Sequence, residues 1–167
     1  MQKSWSVKRA AVVAVLMAMN VALSSFSIPV PGGHLYFNDV VIVAAALLLY
    51  PSEAFVVGGV GAFLGDFLFY PAPMFVSLFS HGFEALIISY FAHKFAGEKK
   101  KVILGIFIGA AVMVTGYTLG RAFIYATPAI SLVKFPFECL QAAVGACLGY
   151  NLVYHAGIEK QFQHRLR

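Results

Sequence analysis

Six ionisable side chains interrupt long apolar stretches of this sequence: Asp66, His81, Glu84, Arg121, Lys134 and Glu138. An ionised group in hydrocarbon costs at least about 2.5–3.5 kcal/mol near the middle of a spanning helix, so such residues read first as functional. Their spacing gathers them. His81 and Glu84 are three apart, Tyr117 and Arg121 four apart, and Lys134, Glu138 and Gln141 follow at four and three. Each set therefore occupies one face of its helix. A carboxylate accepts two hydrogen bonds and a guanidinium donates several in a planar fork, so together they suit a small polar solute. Catalysis is not indicated. There is no HExxH zinc pattern and no GxSxG elbow, and His81 with Glu84 offers a metal only two ligands, which is too few. No catalytic residue, metal ligand set or enzyme activity is expected. The loop IPVPGGHLYFN, with Asp39 directly after it, carries His34, Tyr36, Asn38 and Asp39 and is a candidate lid; Asp66 completes the candidate binding set.

The elements that must position these groups are membrane helices. Of 167 residues 60% are hydrophobic and 11% charged, against about 25% charged in soluble domains. A water-soluble chain of this length could not hide so much apolar surface. Six segments of roughly the length needed to span can be drawn at about 7–26, 39–50, 52–69, 73–95, 102–125 and 131–155. The expectation is one all-α, polytopic membrane domain over residues 1–167. The second segment is too short to cross, so it is tilted, shielded by protein, or topped by a recess that the Gly/Pro-rich loop covers. Ten of the twelve Lys and Arg residues (Lys3, Lys8, Arg9, Lys94, Lys99, Lys100, Lys101, Lys160, Arg165 and Arg167) fall on the side of the termini. The positive-inside rule places that side, with both termini, in the cytoplasm. The net charge of +5 thus reads as orientation, not nucleic-acid binding. The candidate site then lies in the outer half of the membrane, where Phe75, Phe79, Phe83, Phe123, Tyr125 and Phe137 could stack on a flat solute.

Small residues mark contact faces. Glycines four apart recur at Gly61/Gly65, Gly105/Gly109, Gly116/Gly120 and Gly145/Gly149 and are expected to pack helices inside the bundle. Helix 1 carries Ala10, Ala14, Ala18 and Ala22 at strict four-residue spacing, a smooth face suited to another helix. No nucleotide-binding loop is present, so any ATP-driven engine must sit on another chain.

The stretch GGHLYFNDVVIVAAALLLYPSEAFVVGGVGAFLGDFLFYPAPMF, followed by HGFEALI, resembles the substrate-binding membrane subunit, or S component, of energy-coupling factor (ECF) vitamin transporters, and most of all the members linked to hydroxymethylpyrimidine, pyridoxine or pantothenate. The resemblance covers most of the chain. It implies capture of a vitamin from outside a bacterial plasma membrane. It also implies docking through Ala10, Ala14, Ala18 and Ala22 on a transmembrane coupling subunit, with two cytoplasmic ATPases that use the ATP. This chain needs no cofactor of its own on that reading. A small pyrimidine or pyridine vitamin ranks first as solute, pantothenate second and riboflavin below them. A stand-alone secondary transporter or channel is the alternative; it would usually show internal repeats, and none is evident between the halves.

Overall fold

The structure, a computed structural model, describes residues 6–160 and 162. Lys3, Arg165 and Arg167 lie outside the described residues. Among the described residues six helices of 11 or more residues follow one another: α1 (Val7–Ser24), α2 (Asn38–Leu48), α3 (Pro51–Phe69), α4 (Met74–Lys94), α5 (Lys99–Tyr125) and α6 (Pro128–Tyr154). Five are long and apolar enough to cross a membrane; α2 is the exception. Local chemistry sets the ends. The Ser6 hydroxyl caps α1 by accepting from the Arg9 N–H at 3.3 Å. Thr127 caps α6 ahead of a proline in its first turn, where the missing N–H costs nothing. Leu49 and Tyr50 are extended before Pro51, because proline disfavours a helical residue just ahead of it. That stops α2 at Leu48 rather than at the expected residue 50. The expected start of the fifth segment at 102 moves back to Lys99, and that of the sixth from 131 to Pro128.

The expected all-helical fold needs one correction. The loop after α1 is a β-hairpin of β1 (Ser27–Val30) and β2 (Gly33–Tyr36), antiparallel, with Ser27 opposite Tyr36 and Val30 opposite Gly33. Pro31 and Gly32 make its turn. Gly32 has a φ of 82° and its α-carbon backs onto Lys134 of α6, so a side chain there would be both strained and obstructed.

The bundle is built around α2. Its 11 residues rise only about 16 Å. Eight of them are buried, and Ile42, Val43, Ala45 and Ala46 form the middle of the apolar core with Val13, Val57, Ala85 and Ile88. Asn38 at the start of α2 donates to Asn20 Oδ1 of α1 at 3.2 Å. Asn20 is four residues short of the end of α1, so α2 begins about one turn below its neighbour. Shielding by protein and a recess above the helix both hold, and the hairpin lies over that recess.

All four glycine pairs pack inside the bundle. Gly61 and Gly65 face Asn20 and Ser24 of α1. Gly105, Gly109, Gly116 and Gly120 face Phe91, Ile88, Ser80 and Val76 of α4. Gly145 and Gly149 let α6 approach Asp39 and Val43 of α2. Such close backbones are what drives association in lipid. α3 widens into a π-helical turn at Val56–Val60. Asn20 Nδ2 answers its displaced carbonyls, donating to Val57 O at 2.7 Å and weakly to Gly58 O at 3.4 Å. The other face of α1 is different: Ala10, Ala14, Ala18 and Ala22 are all exposed, while Val13, Asn20 and Ser24 are buried.

Candidate functional site

A cavity of about 660 Å³ lies beneath the hairpin, within the 300–1,000 Å³ usual for organic-ligand sites. Asn38 at the tip of α2 is part of its floor. The expected residues His34, Tyr36, Asn38, Asp66, His81, Tyr117, Arg121, Glu138 and Gln141 line it, with Ser24, Tyr70 and Tyr125. Asn38 therefore belongs to the floor and not to the lid. Two expected residues stand behind the wall. Glu84 is buried against His81, and Lys134 is buried under the hairpin turn.

One wall, from α2, α3 and α4, is acidic. His81 Nδ1 lies 2.9 Å from Glu84 Oε2 and 3.5 Å from Asp39 Oδ1. Gln141 bridges from α6: its Nε2 donates to Asp39 Oδ2 at 3.0 Å, and its Oε1 accepts the Tyr36 N–H at 2.9 Å. The hairpin is thereby tied to the floor. Ser77 donates to the Asp66 carboxylate and meets the Tyr117 hydroxyl at 2.5 Å. The Tyr117 ring stands edge-on to His81, with centroids 5.3 Å apart.

The opposite wall, from α5 and α6, carries the cations. α5 ends in a second π-helical turn, Arg121–Tyr125, a distortion frequent at functional sites. Arg121 Nη2 pairs with Glu138 Oε1 at 2.7 Å, and Lys134 Nζ stands 3.8 Å from the same oxygen. Two cations share one carboxylate. Arg121 Nη1, Lys134 Nζ and the Tyr125 hydroxyl are buried without a hydrogen bond, as are Asn38 Oδ1 and Asp39 Oδ1 across the cavity. Buried polar groups are normally bonded, and each exception calls for a reason. Of the five buried exceptions among the described residues, Asn38, Arg121 and Tyr125 line this cavity, and Asp39 and Lys134 stand behind its lining. A second hollow of about 820 Å³ at the other end, lined by Arg9, Tyr50, His93, Tyr150 and Tyr154 among others, holds none of them. Burial beside Asp66 pushes the Tyr36 hydroxyl up to about 12, so it remains an O–H donor at neutral pH.

The aromatic expectation is corrected. Phe75, Phe79, Phe83 and Phe123 are exposed on the outer surface of the bundle. Phe137 is absent from the lining; of the expected aromatics only Tyr125 lines the cavity, together with tyrosines 36, 70 and 117. Phe75, Phe79 and Phe83 are four apart, on a face of α4 different from that of buried His81 and Glu84. Asp39 and Asn20 were not in the expected set. A lone asparagine on the buried side of an otherwise apolar helix 1 was the available signal for Asn20. Asp39 was expected only as part of the lid, whereas it is buried in the first turn of α2, behind the cavity lining.

Helices of this number and length, wrapped round a short central one, with a hairpin-covered polar cavity at one end, define a multi-pass membrane protein built to hold a solute. The solved chain described as "Structure and mechanism of the S component of a bacterial ECF transporter" has the same fold. Its TM-score is 0.75 at 21% identity, over 90% of this chain and 95% of that one. A Pyrococcus woesei protein described as "Uncharacterized protein in gap 3′region" is 32% identical over 139 residues, 82% of this chain and 93% of its own length. Residues 4–160 match the family "ECF-type riboflavin transporter, S component". The chain belongs to that family: it is a substrate-binding subunit of an ECF transporter, a class that works with a membrane coupling subunit and ATPases.

Proposed function

We propose that the chain captures riboflavin, or a vitamin with a similarly broad nitrogen heterocycle, from outside the plasma membrane and hands it to its partner subunits. The 660 Å³ cavity carries the reading. A monocyclic pyrimidine or pyridine would leave most of that volume empty, whereas a tricyclic ring with a polyol side chain would fill far more of it. This reverses the ranking that the sequence suggested. The imide edge of such a ring offers an N–H between two carbonyls. Asn38 Oδ1 is an unpaired acceptor for the former; Arg121 Nη1 and the Tyr125 hydroxyl are unpaired donors for the latter. The family's name supports the same solute. The Lys and Arg residues at the end opposite the hairpin favour a cytoplasmic location for that end and an outward cavity.

Docking on the coupling subunit falls to the exposed face of Ala10, Ala14, Ala18 and Ala22, since only β-carbons stand between that helix and a partner. Two ATPases on other chains supply the energy.

The test is quenching of riboflavin fluorescence by the purified chain, with hydroxymethylpyrimidine, pyridoxine and pantothenate as competitors. Saturable quenching at one per chain, resisted by all three, is the expected result. Displacement by one of them at equal concentration would reassign the solute. Ala14→Trp should leave quenching intact and stop uptake by the full transporter; normal uptake would remove the docking assignment.

A further inference from the structure

We propose that Asp39, His81 and Glu84 form a binding site for a divalent transition-metal ion, with zinc as its working probe. Sequence spacing alone offered His81 and Glu84, one ligand short. The fold supplies the third from α2, because Gly145 of α6 lets that helix sit where Asp39 reaches α4. One ligand atom from each of the three lies within 4.8 Å of the other two, and all three residues are buried. His81 Nδ1 is 2.9 Å from Glu84 Oε2 and 3.5 Å from Asp39 Oδ1. Donors bound to one zinc ion at about 2.0–2.2 Å stand roughly 3–3.5 Å from each other, so both distances from His81 are near that spacing already.

Two further observations point to a cation. Asp39 Oδ1 is 1% exposed at the residue level and has no hydrogen bond. Its sister oxygen is held by Gln141, which fixes the carboxylate with Oδ1 towards His81, as supporting groups orient metal ligands elsewhere. Charge is the second. Two buried carboxylates face one imidazole, so with both carboxylates ionised the trio stays negative even with His81 protonated. A divalent ion with a neutral imidazole brings it to zero and removes the cost of buried, unbalanced charge. A nitrogen donor and only three protein ligands favour a zinc-like ion over calcium or magnesium. His81 also lines the solute cavity, so a vacant coordination position is open to water or to a donor atom of the solute.

The inference uses the same cavity as the riboflavin reading but not the same readout. The untagged full chain, stripped with EDTA, is titrated with zinc in the absence of vitamin. One zinc per chain is expected, with a visible absorption band when cobalt replaces zinc. Asp39→Asn and Glu84→Gln should each weaken uptake at least tenfold, since losing even a supporting group costs about 10–100-fold. Glu98→Gln, on the exposed Lys101 pair, should leave it unchanged. Absence of saturable uptake, or uptake untouched by both variants, overturns the site. Should the variants fail to fold, the wild-type chain decides alone: no cobalt band and no rise in unfolding temperature with zinc also overturn it. Quenching retained without zinc uptake removes the metal only, and zinc uptake without quenching removes the riboflavin reading only.

Discussion

Two arginine pairs with buried carboxylates sit at opposite ends of the bundle, and they are built differently. At the basic end Arg9 grips Glu53 with two nitrogens, Nε to Oε1 at 2.7 Å and Nη2 to Oε2. Glu53 also accepts the Tyr50 N–H at 3.0 Å, and the Tyr50 ring lies 4.3 Å from the guanidinium carbon. That pair ties α1 to the start of α3. At the hairpin end Arg121 reaches Glu138 with one nitrogen, leaves another unbonded, and competes with Lys134. The first is complete and serves the fold. The second is incomplete, and on the function proposed above the solute completes it. Saturation of hydrogen bonds separates structural from functional charge here better than burial does.

Four variants test the contrast. Arg9→Ala should have the largest effect on stability, about 3–5 kcal/mol, because it strands a buried carboxylate; loss of unfolding cooperativity in detergent would report it. A stability near wild type would mean that the pair holds little. Arg121→Ala should cost less stability but weaken solute binding by about 1.5–3 kcal/mol, the range for charge-assisted bonds. Titration by fluorescence quenching checks it, and unchanged affinity would return Arg121 to a structural role. Lys134→Met removes a buried ammonium without a hydrogen bond while keeping much of its length, so the unfolding midpoint should stay level or rise. A clear drop would show that its 3.8 Å approach to Glu138 matters. Lys101→Ala breaks an exposed pair with Glu98 and should shift nothing measurable, as such pairs contribute about 0–1 kcal/mol.

Much of this was legible from residue types alone. Gly145 and Gly149 predicted a close helix contact because only a missing side chain permits one. Lys134, Glu138 and Gln141 predicted a polar face because their period matches a helix turn. What escaped detection depended on the third dimension. Asp39 counts as a third ligand only once α2 is known to start below its neighbour. The phenylalanines of α4 read as stacking groups, yet in lipid an apolar ring gains as much outside the bundle as within it, whereas Tyr117 turns inward, where its hydroxyl meets Ser77. The π-helical turns at Val56–Val60 and Arg121–Tyr125 leave no periodic signature at all. The hairpin's four-residue strands were too short to register against the turn signals around them.

Asn20 has a consequence beyond packing. It stands on the reverse side of the helix whose alanines are exposed, and its one amide touches both the widened turn of α3 and Asn38 at the cavity floor. A torque applied to the alanine face is therefore delivered, through a single side chain about one helix diameter away, to the bottom of the binding chamber.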